Sequence, residues 1–336
     1  MSWEIRQGDC LDLMAKMEPD SIDCIVTSPP YWGLRDYGDP KAWGLEPTLD
    51  EYLERMRLLG ESLMRIIKPS GTFWLNMGDA YASAWPCSRR NVIGEGSLPN
   101  GKRENRRSRL DNNLKDKDLI GLPWRVAFLL QAQGWYLRSD IIWAKPNTMP
   151  GSYEDRCTSS KEYVFMLTKS AKYWSDFDAI KTPPRESSLV RTAQDVQSQA
   201  GSHGAVGKTN GPMKAVGMKK DKQRGHSRVH AGFNDRWDSM SKAEQQSMPV
   251  NMRDVWFVSP AKSEDAHFAV MPEEVAKRCI LAGCPEGGTV LDPFVGSGTT
   301  VVVALGCGRS GIGLELNPAY ILLAQRRLGL FAEVEK

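Results

Sequence analysis

The 336-residue chain has no run of about 18 apolar residues, so no membrane-spanning helix is expected. Its start, Met1-Ser2-Trp3-Glu4-Ile5-Arg6, lacks the basic-then-apolar pattern of a secretory leader. Seven cysteines are an odd number, and none falls in a Cys-x-x-Cys pair. That disfavours a disulfide framework or a zinc site and implies a reducing, cytoplasmic setting. His226 and His230 have helical spacing for a metal, but no third ligand accompanies them, and no metal is expected. No internal repeat is visible. With 41% hydrophobic and 25% charged residues, 30 Gly and 20 Pro, the composition excludes collagen-like, coiled-coil and wholly disordered chains. The length suits one large domain with insertions, or two domains. Eleven tryptophans suggest aromatic platforms as well as core.

The net charge of +3 is unevenly spread. Segment 89–109 carries +5 and segment 181–236 carries +7, which leaves −9 for the rest. Two basic segments on an acidic body point to a polyanionic partner. The plainer alternative is two solvated loops.

Residues 1–81 read as α/β. Trp3–Arg6 and the apolar run Ile22–Thr27 are strand candidates; Ser28-Pro29-Pro30 ends the second, because proline does not stay in a central strand. Leu11–Met17 reads as a short helix, Leu49–Ile67 as a longer one that stops before Pro69-Ser70-Gly71, and Thr72–Met77 as a strand. Residues 82–118 are polar and basic and read as a mobile surface loop. Order returns with a helix over Leu122–Gln133 and strands over Leu137–Trp143 and Lys161–Thr168. From about 182 to 248 glycines interleave with Lys and Arg, and few apolar residues are available for a core; this segment reads as an insertion. The end of the chain is α/β again. Pro272-Glu273-Glu274 opens a helix, Thr289–Leu291 is a strand, a helix starts at Thr299, and Gly311–Leu316 is a strand. A last helix, Pro318–Leu328, is capped by Asn317.

Two constellations carry chemistry. In Asp292-Pro293-Phe294-Val295-Gly296-Ser297-Gly298 an apolar strand feeds a glycine turn and a helix, and Glu315 stands 23 residues on from Asp292, at the end of the next strand. Such a loop lets backbone approach a ligand closely, and the acid can accept ribose hydroxyl protons, so a nucleoside-containing cofactor is expected. Val301 stands where a dinucleotide fingerprint needs its third glycine, which disfavours a nicotinamide dinucleotide. The second constellation is Thr27-Ser28-Pro29-Pro30-Tyr31-Trp32. Consecutive prolines hold a stiff, extended turn, with the Ser28 and Pro29 carbonyls as outward acceptors and Tyr31 and Trp32 as π faces. A planar amine fits such a grip.

Together the two resemble the amino-methyltransferases of DNA, which methylate cytosine N4 or adenine N6 with S-adenosylmethionine. Asp292, Phe294, Gly296, Gly298, Thr299 and Thr300 look like that family's cofactor loop, and Ser28-Pro29-Pro30-Tyr31 looks like its catalytic tetrapeptide. Gly8-Asp9-Cys10 is similar to the motif that reads the cofactor adenine, and Trp143-x-Lys145-Pro146-Asn147 to the segment lining the target-base pocket. His267–Ile280 is similar to the helix before the cofactor loop. The resemblance covers about two-thirds of the chain and neither basic segment. The tetrapeptide precedes the cofactor loop, as in the family's beta group. The implied fold is α/β, a circularly permuted doubly wound, Rossmann-like methyltransferase sheet with an inserted target-recognition module. Its expected divisions are a catalytic half at 1–181, the module at 182–248 and a cofactor-binding half at 249–336.

The resemblance implies S-adenosylmethionine as cofactor and double-stranded DNA as partner, without membrane or metal. It is compatible with a companion restriction endonuclease and with a monomer or a homodimer. Ser28, Pro29, Pro30 and Tyr31 are the expected catalytic residues. Asp9, Cys10, Ser28, the loop residues, Glu315 and Asn317 are expected at the cofactor, Glu315 on the ribose and Asp9 on the adenine. Trp32, Trp143, Lys145, Arg185, Arg191, Arg224 and Arg228 are expected at the target base or DNA, which must be flipped from the duplex. Ser28 favours cytosine N4, because an ionised Asp there would repel the N3 lone pair whereas a hydroxyl can donate to it. Adenine N6 is the alternative. Further readings are a DNA-binding protein with a vestigial cofactor pocket and a methyltransferase acting on a protein or RNA amine. Cys87, beside Pro86, lacks the context of a carbon-5 nucleophile.

Overall fold

Ile22–Thr27 is buried along almost its whole length, as a strand covered on both faces must be. It is the second strand of a computed structural model that describes residues 1–34, 41–82, 114–148, 151, 154–184, 239–241, 244, 247–260 and 271–332. The elements run β1 (Trp3–Gln7), α1 (Cys10–Ala15), β2 (Ile22–Thr27), α2 (Leu49–Ile66), β3 (Ile67–Met77), α3 (Leu122–Ala132), β4 (Tyr136–Ala144) and β5 (Lys161–Thr168). They continue with β6 (Val255–Phe257), α4 (Glu273–Gly283), β7 (Thr289–Asp292), α5 (Thr299–Gly306), β8 (Ser310–Glu315) and α6 (Pro318–Ala332). The chain divides into two units, one of Met1–Ala179 with Arg253–Lys336 and one of Ile180–Met252.

The first unit holds one eight-stranded sheet in the order β1-β8-β7-β2-β3-β5-β4-β6. Its ladders are parallel except for the two that β5 makes with β3 and β4. The chain winds outward in two directions from the middle: β7 leads through α5 to β8, and β2 leads through α2 to β3. The boundary between β7 and β2 is therefore a topological switch point, where open α/β sheets bind ligands at the strands' carboxyl ends. The first and last strands, β1 and β8, are parallel neighbours paired from Trp3↔Gly311 to Gln7↔Glu315. The sheet is thus doubly wound with its chain opened between α6 and β1, the expected permutation.

Helices cover both faces. Along α2, Leu49, Tyr52, Met56, Leu59, Leu63 and Ile66 are buried at helical spacing, and Thr48 caps the helix by accepting from the Glu51 amide at 3.2 Å. On β3, Phe73, Leu75 and Met77 join the core under α2 and α3. Thr72 on the opposite face donates to the Gly283 carbonyl of α4 at 2.8 Å, and Trp74 donates to Thr72 at 2.9 Å. Alternation with a period of two thus assigns each residue of β3 to one helical layer.

Three features depart from expectation. Strand β3 starts at Ile67, directly off α2, and takes in Pro69-Ser70-Gly71. Its register against β2 jumps from Ile22↔Ile67 to Cys24↔Thr72, so the proline sits in a bulge where it interrupts no regular ladder. The three-residue β6 is too short for periodicity to reveal, yet it extends the sheet beside β4. Trp32, Trp43, Trp74, Trp135, Trp143 and Trp256 are at most 3% exposed, so these six of the nine described tryptophans build core rather than platforms.

Both basic segments leave from pinned bases. Tyr81 and Leu119 form an antiparallel bridge, and Ala82 donates to Asp118 at 2.8 Å; residues 83–113 lie outside the described residues. In the second unit Thr182 and Val250 exchange hydrogen bonds of 3.0 and 2.8 Å. The expected module, 182–248, falls inside this unit. Among the described residues no helix is long and apolar enough to cross a membrane.

Candidate active site

The expected motifs meet at the carboxyl ends of neighbouring strands. The β2–β7 ladder covers only Cys24↔Val290 and Ile25↔Leu291. Beyond it the gap is bridged by side chains: Thr27 Oγ1 donates to Asp292 Oδ1 at 2.6 Å, although the two residues are 265 apart in sequence. Asp292 also accepts from Thr300 Oγ1 at 2.6 Å and from the Phe294 amide at 3.0 Å. Burial pushes its carboxyl above the usual range, against the pull of these bonds. The carboxylate joins the tetrapeptide's strand to the glycine loop.

The loop turns through Gly296 (φ +51°) and Gly298 (φ +85°), a left-handed backbone that side chains disfavour. Gly298 packs on α6, since a Cβ there would lie 3.0 Å from the Ala324 side chain, whereas a Cβ on Gly296 would meet open space. The Gly296 amide donates to Glu315 Oε2 at 2.9 Å, and the Asn317 amide to Glu315 Oε1 at 2.8 Å. Burial raises the Glu315 carboxyl above the ordinary glutamate value. Each carboxylate oxygen keeps a second lone pair for a hydroxyl donor. Asn317 caps α6 by accepting from the Ala319 amide at 2.9 Å.

Other expected cofactor residues serve the frame. Thr299 and Thr300 are 5% and 1% exposed, and their hydroxyls meet Arg327 at 2.9 Å and Asp292, so they hold the loop in place. Cys10 is buried, and its thiol is raised by desolvation. Asp9 caps α1 by accepting from the Leu11 amide at 2.8 Å, with Arg55 3.8 Å from its other oxygen. Arg55 also pairs with Glu46 at 3.0 Å and lies 4.4 Å over the Trp43 ring. Trp43 meets Phe294 edge-on, with centroids 5.1 Å apart. Its Nε1 is buried and finds no acceptor among the described residues. An open loop backbone, acceptor oxygens at two strand tips and an orphaned indole donor fit the polar, nucleoside-bearing S-adenosylmethionine.

The other side of the crevice is a side-chain network. Ser28 Oγ lies 3.1 Å from Tyr31 OH, and Tyr31 OH donates to Glu162 Oε2 at 2.9 Å. Asn76 Nδ2 reaches Glu162 at 3.0 Å and both Ser28 Oγ and Tyr31 OH at 3.3 Å. Lys145 pairs with the other oxygen of Glu162. Burial, reinforced by Glu162, pushes the Tyr31 phenol well above its ordinary value, so it stays a neutral donor. Asn76 Oδ1 is buried with no donor among the described residues, which leaves an acceptor unspent beside Ser28. Two glycines hold Tyr31: a Cβ on Gly78 would lie 2.9 Å from its ring, and one on Gly44 would lie 2.8 Å from its carbonyl oxygen. Tyr52 OH donates to the Pro30 carbonyl at 3.0 Å.

Two base-pocket expectations need correction. Trp32 is 3% exposed and donates to the Glu46 carbonyl at 3.0 Å, so its ring is packed inside rather than offered to a base. Trp143 is also 3% exposed, with its indole N–H on the Val258 carbonyl at 2.8 Å. It borders the site through Lys145, whose ammonium sits 4.5 Å over its ring, and through its cross-strand partner Glu162. Arg185, Arg191, Arg224 and Arg228 lie outside the described residues, as do Cys87, His226 and His230. Asn76, Gly78, Glu162 and the Trp43–Arg55–Glu46 group went unread in the sequence.

A doubly wound sheet with a glycine loop and acid at adjoining strand tips, beside a proline-stiffened turn, is the framework of an S-adenosylmethionine-dependent amino-methyltransferase. Comparison with known proteins agrees. Residues 22–326 match the family described as DNA methylase, that of the N6 and N4 amino-methyltransferases. The type II methyltransferase M.SmaI of Serratia marcescens is 37% identical over 97% of this chain and 91% of its own length. M.Cfr9I of Citrobacter freundii is 38% identical over 96% and 86%. Among solved structures, the PvuII cytosine-N4-specific DNA methyltransferase aligns with a TM-score of 0.58 at 17% identity, over 97% of this chain and 86% of that one. A putative DNA modification methylase of Thermus thermophilus, solved with S-adenosyl-L-methionine, gives 0.51 at 19% identity, over 97% and 94%. The chain belongs to the beta group of the N6/N4 DNA methylase family and is an S-adenosylmethionine-dependent DNA methyltransferase.

Proposed function

We propose that the protein methylates cytosine N4 within a specific duplex sequence, as the modifying member of a type II restriction–modification pair. The observation that carries this reading is the meeting of the Ser28 tetrapeptide and the glycine loop at one crevice, joined by the Thr27–Asp292 bond. The type II names of the M.SmaI and M.Cfr9I relatives support the biological setting. The neutral Ser28 supports the base, because an uncharged oxygen repels the N3 lone pair less than a carboxylate would.

S-adenosylmethionine, when bound, supplies a methyl group on a positively charged sulfur. Glu315 holds the ribose, Asp9 the adenine, and Phe294 with the Gly296 backbone the methionine part. Ser28 and the Pro29 carbonyl accept the amine hydrogens, which draws a delocalised lone pair toward tetrahedral geometry and stabilises the positive charge as it develops. Tyr31 stacks on the flipped base. Holding donor carbon and nitrogen in line supplies much of the acceleration. The segment 182–248 selects the sequence through basic side chains on phosphates and base edges, and the 88–109 loop adds backbone contacts.

The test is to methylate mixed-sequence DNA, digest it to nucleosides and identify the product by mass. N4-methylcytosine is expected. N6-methyladenine would move the assignment to the alternative base, and no methylated nucleoside would favour a vestigial site. Deleting 182–248 should abolish sequence preference and spare cofactor affinity.

A further inference from the structure

The hydrogen bonds around Tyr31 have a direction. Glu162 is a carboxylate paired with Lys145 and brings no proton, so in the 2.9 Å bond to Glu162 the Tyr31 hydroxyl must donate. With its hydrogen spent there, the Tyr31 oxygen can only accept. The 3.1 Å contact is then donated by Ser28. The Asn76 amide cannot be turned over, because its Nδ2 faces the Glu162 carboxylate at 3.0 Å and its Oδ1 would be repelled there. Ser28 Oγ therefore points its hydrogen away from the crevice and presents a lone pair to whatever amine arrives. This polarity also revises the donor role expected of Ser28 toward cytosine N3.

We propose that Ser28, Tyr31 and Glu162 form a proton relay that carries away the hydrogen the target amine must lose. The proposal rests on an exocyclic amine being the acceptor, whichever base bears it. As the nitrogen–methyl bond forms, the carbon–sulfur bond breaks and its electron pair stays on sulfur. The positive nitrogen passes one hydrogen to Ser28 Oγ, Ser28 passes its own to the Tyr31 oxygen, and Tyr31 passes its own to Glu162 Oε2. The amine ends neutral and methylated, Ser28 and Tyr31 are restored, and Glu162 holds one proton. Shuttling in concert needs no phenolate, in keeping with the raised Tyr31 phenol. The side chains of Glu162 and Lys145 are 15% and 22% exposed, so that proton has an exit to water. Ser28 touches the amine and the Tyr31 ring the base; in the relay the Tyr31 hydroxyl and Glu162 act through Ser28.

Glu162→Gln keeps the size and the acceptor for Tyr31 but cannot take the proton. Tyr31→Phe keeps the ring and cuts the chain in the middle. In single-turnover assays with cofactor and DNA saturating, each variant should slow transfer about 10²-fold, the lower end of general acid–base effects. Because the groups act in series, the double variant should be no slower than either single one. The wild-type rate should fall in heavy water, and that effect should vanish in Tyr31→Phe. Calorimetric affinity for S-adenosylmethionine should stay within about twofold throughout, which separates loss of the relay from a misfolded site. Wild-type speed in Glu162→Gln, multiplicative losses in the double variant, or a wild-type rate indifferent to heavy water would each overturn the relay. The methylated nucleoside made by the wild type tests the base assignment separately.

Discussion

The two sides of the crevice are held by different kinds of bond. On the cofactor side, carboxylates at three strand tips repeat one local motif: Asp9, Asp292 and Glu315 each accept from the backbone amide two residues on, at 2.8, 3.0 and 2.8 Å. Such bonds close within a turn and depend on little beyond the residues themselves. On the base side the partners are remote. Ser28 and Asn76 are 48 residues apart, and Tyr31 and Glu162 are 131 apart. That side exists only once β2, β3, β4 and β5 are in register. The cofactor side is thus a set of local turns laid along a sheet, and the base side is a product of the sheet.

The sharpest way to break this division is at Asp292, the residue that belongs to both sides. Asp292→Ala strands the Thr27 and Thr300 hydroxyls and the Phe294 amide in a buried site. Orphaned buried groups cost about 1–3 kcal/mol each, less where they find new partners, so a loss of about 3 kcal/mol is expected. Thermal unfolding should shift down by on the order of 5 °C, and calorimetry should detect no cofactor binding. A variant that melts and binds like the wild type would show that the two sides stand independently.

A smaller effect, confined to the base side, is expected from Gly78→Ala. The new methyl would lie 2.9 Å from the Tyr31 ring and 3.3 Å from Glu162, so the ring must shift. Transfer should slow about tenfold, the size of effect that a small misplacement of a reacting group produces, with cofactor affinity unchanged. Equal losses in rate and affinity would mean that the sides are coupled more tightly than their hydrogen bonds imply.

The same division explains what could be read from the sequence. Ile22–Thr27 and Lys161–Thr168 stand where their apolar runs place them, and α5 begins at the expected Thr299. The glycine loop, Glu315 and the cap at Asn317 were legible because their geometry is local. Glu162 was not. It is the second residue of a strand that reads as apolar, and its place opposite Trp143 is fixed by antiparallel pairing with β4. Asn76 faces the site only because β3 lies beside β2 and β5. Trp32 was misread for the reverse reason. Next to a proline turn it looks like a platform, but its N–H is claimed by Glu46, 14 residues along.

On the cofactor side, acidity should distinguish Glu315 from its neighbours. Its carboxyl is raised chiefly by burial, with Asp292 adding to the effect. If the ribose hydroxyls donate to the ionised form, affinity is full above the raised pKa and falls as pH drops through it. Because the folded value exceeds the ordinary one, the fall should begin at a higher pH than for an exposed glutamate, and binding in that window should release a proton. Calorimetry in buffers of different ionisation heat measures this directly. Glu315→Gln should bind more weakly and lose the pH dependence; an unchanged slope would assign the titration to another group.

The smallest expected effect decides whether Asp9 merely caps α1 or also reads the cofactor. Asparagine caps a helix about as well as aspartate, so Asp9→Asn should leave stability within about 0.5 kcal/mol, whereas Asp9→Ala should cost about 1 kcal/mol. The pair with Arg55, at 3.8 Å and partly exposed, adds little to either comparison. If Asp9 accepts a hydrogen bond from the adenine amine, the cap-preserving Asp9→Asn should still weaken cofactor binding, by about tenfold for the loss of a hydrogen bond to a charged group. Unfolding and cofactor titration of the two variants then separate the roles. Asn and Ala variants that differ in stability but bind as the wild type does would leave Asp9 a helix cap alone, and the adenine would have to be read from the Trp43–Arg55 side of the crevice.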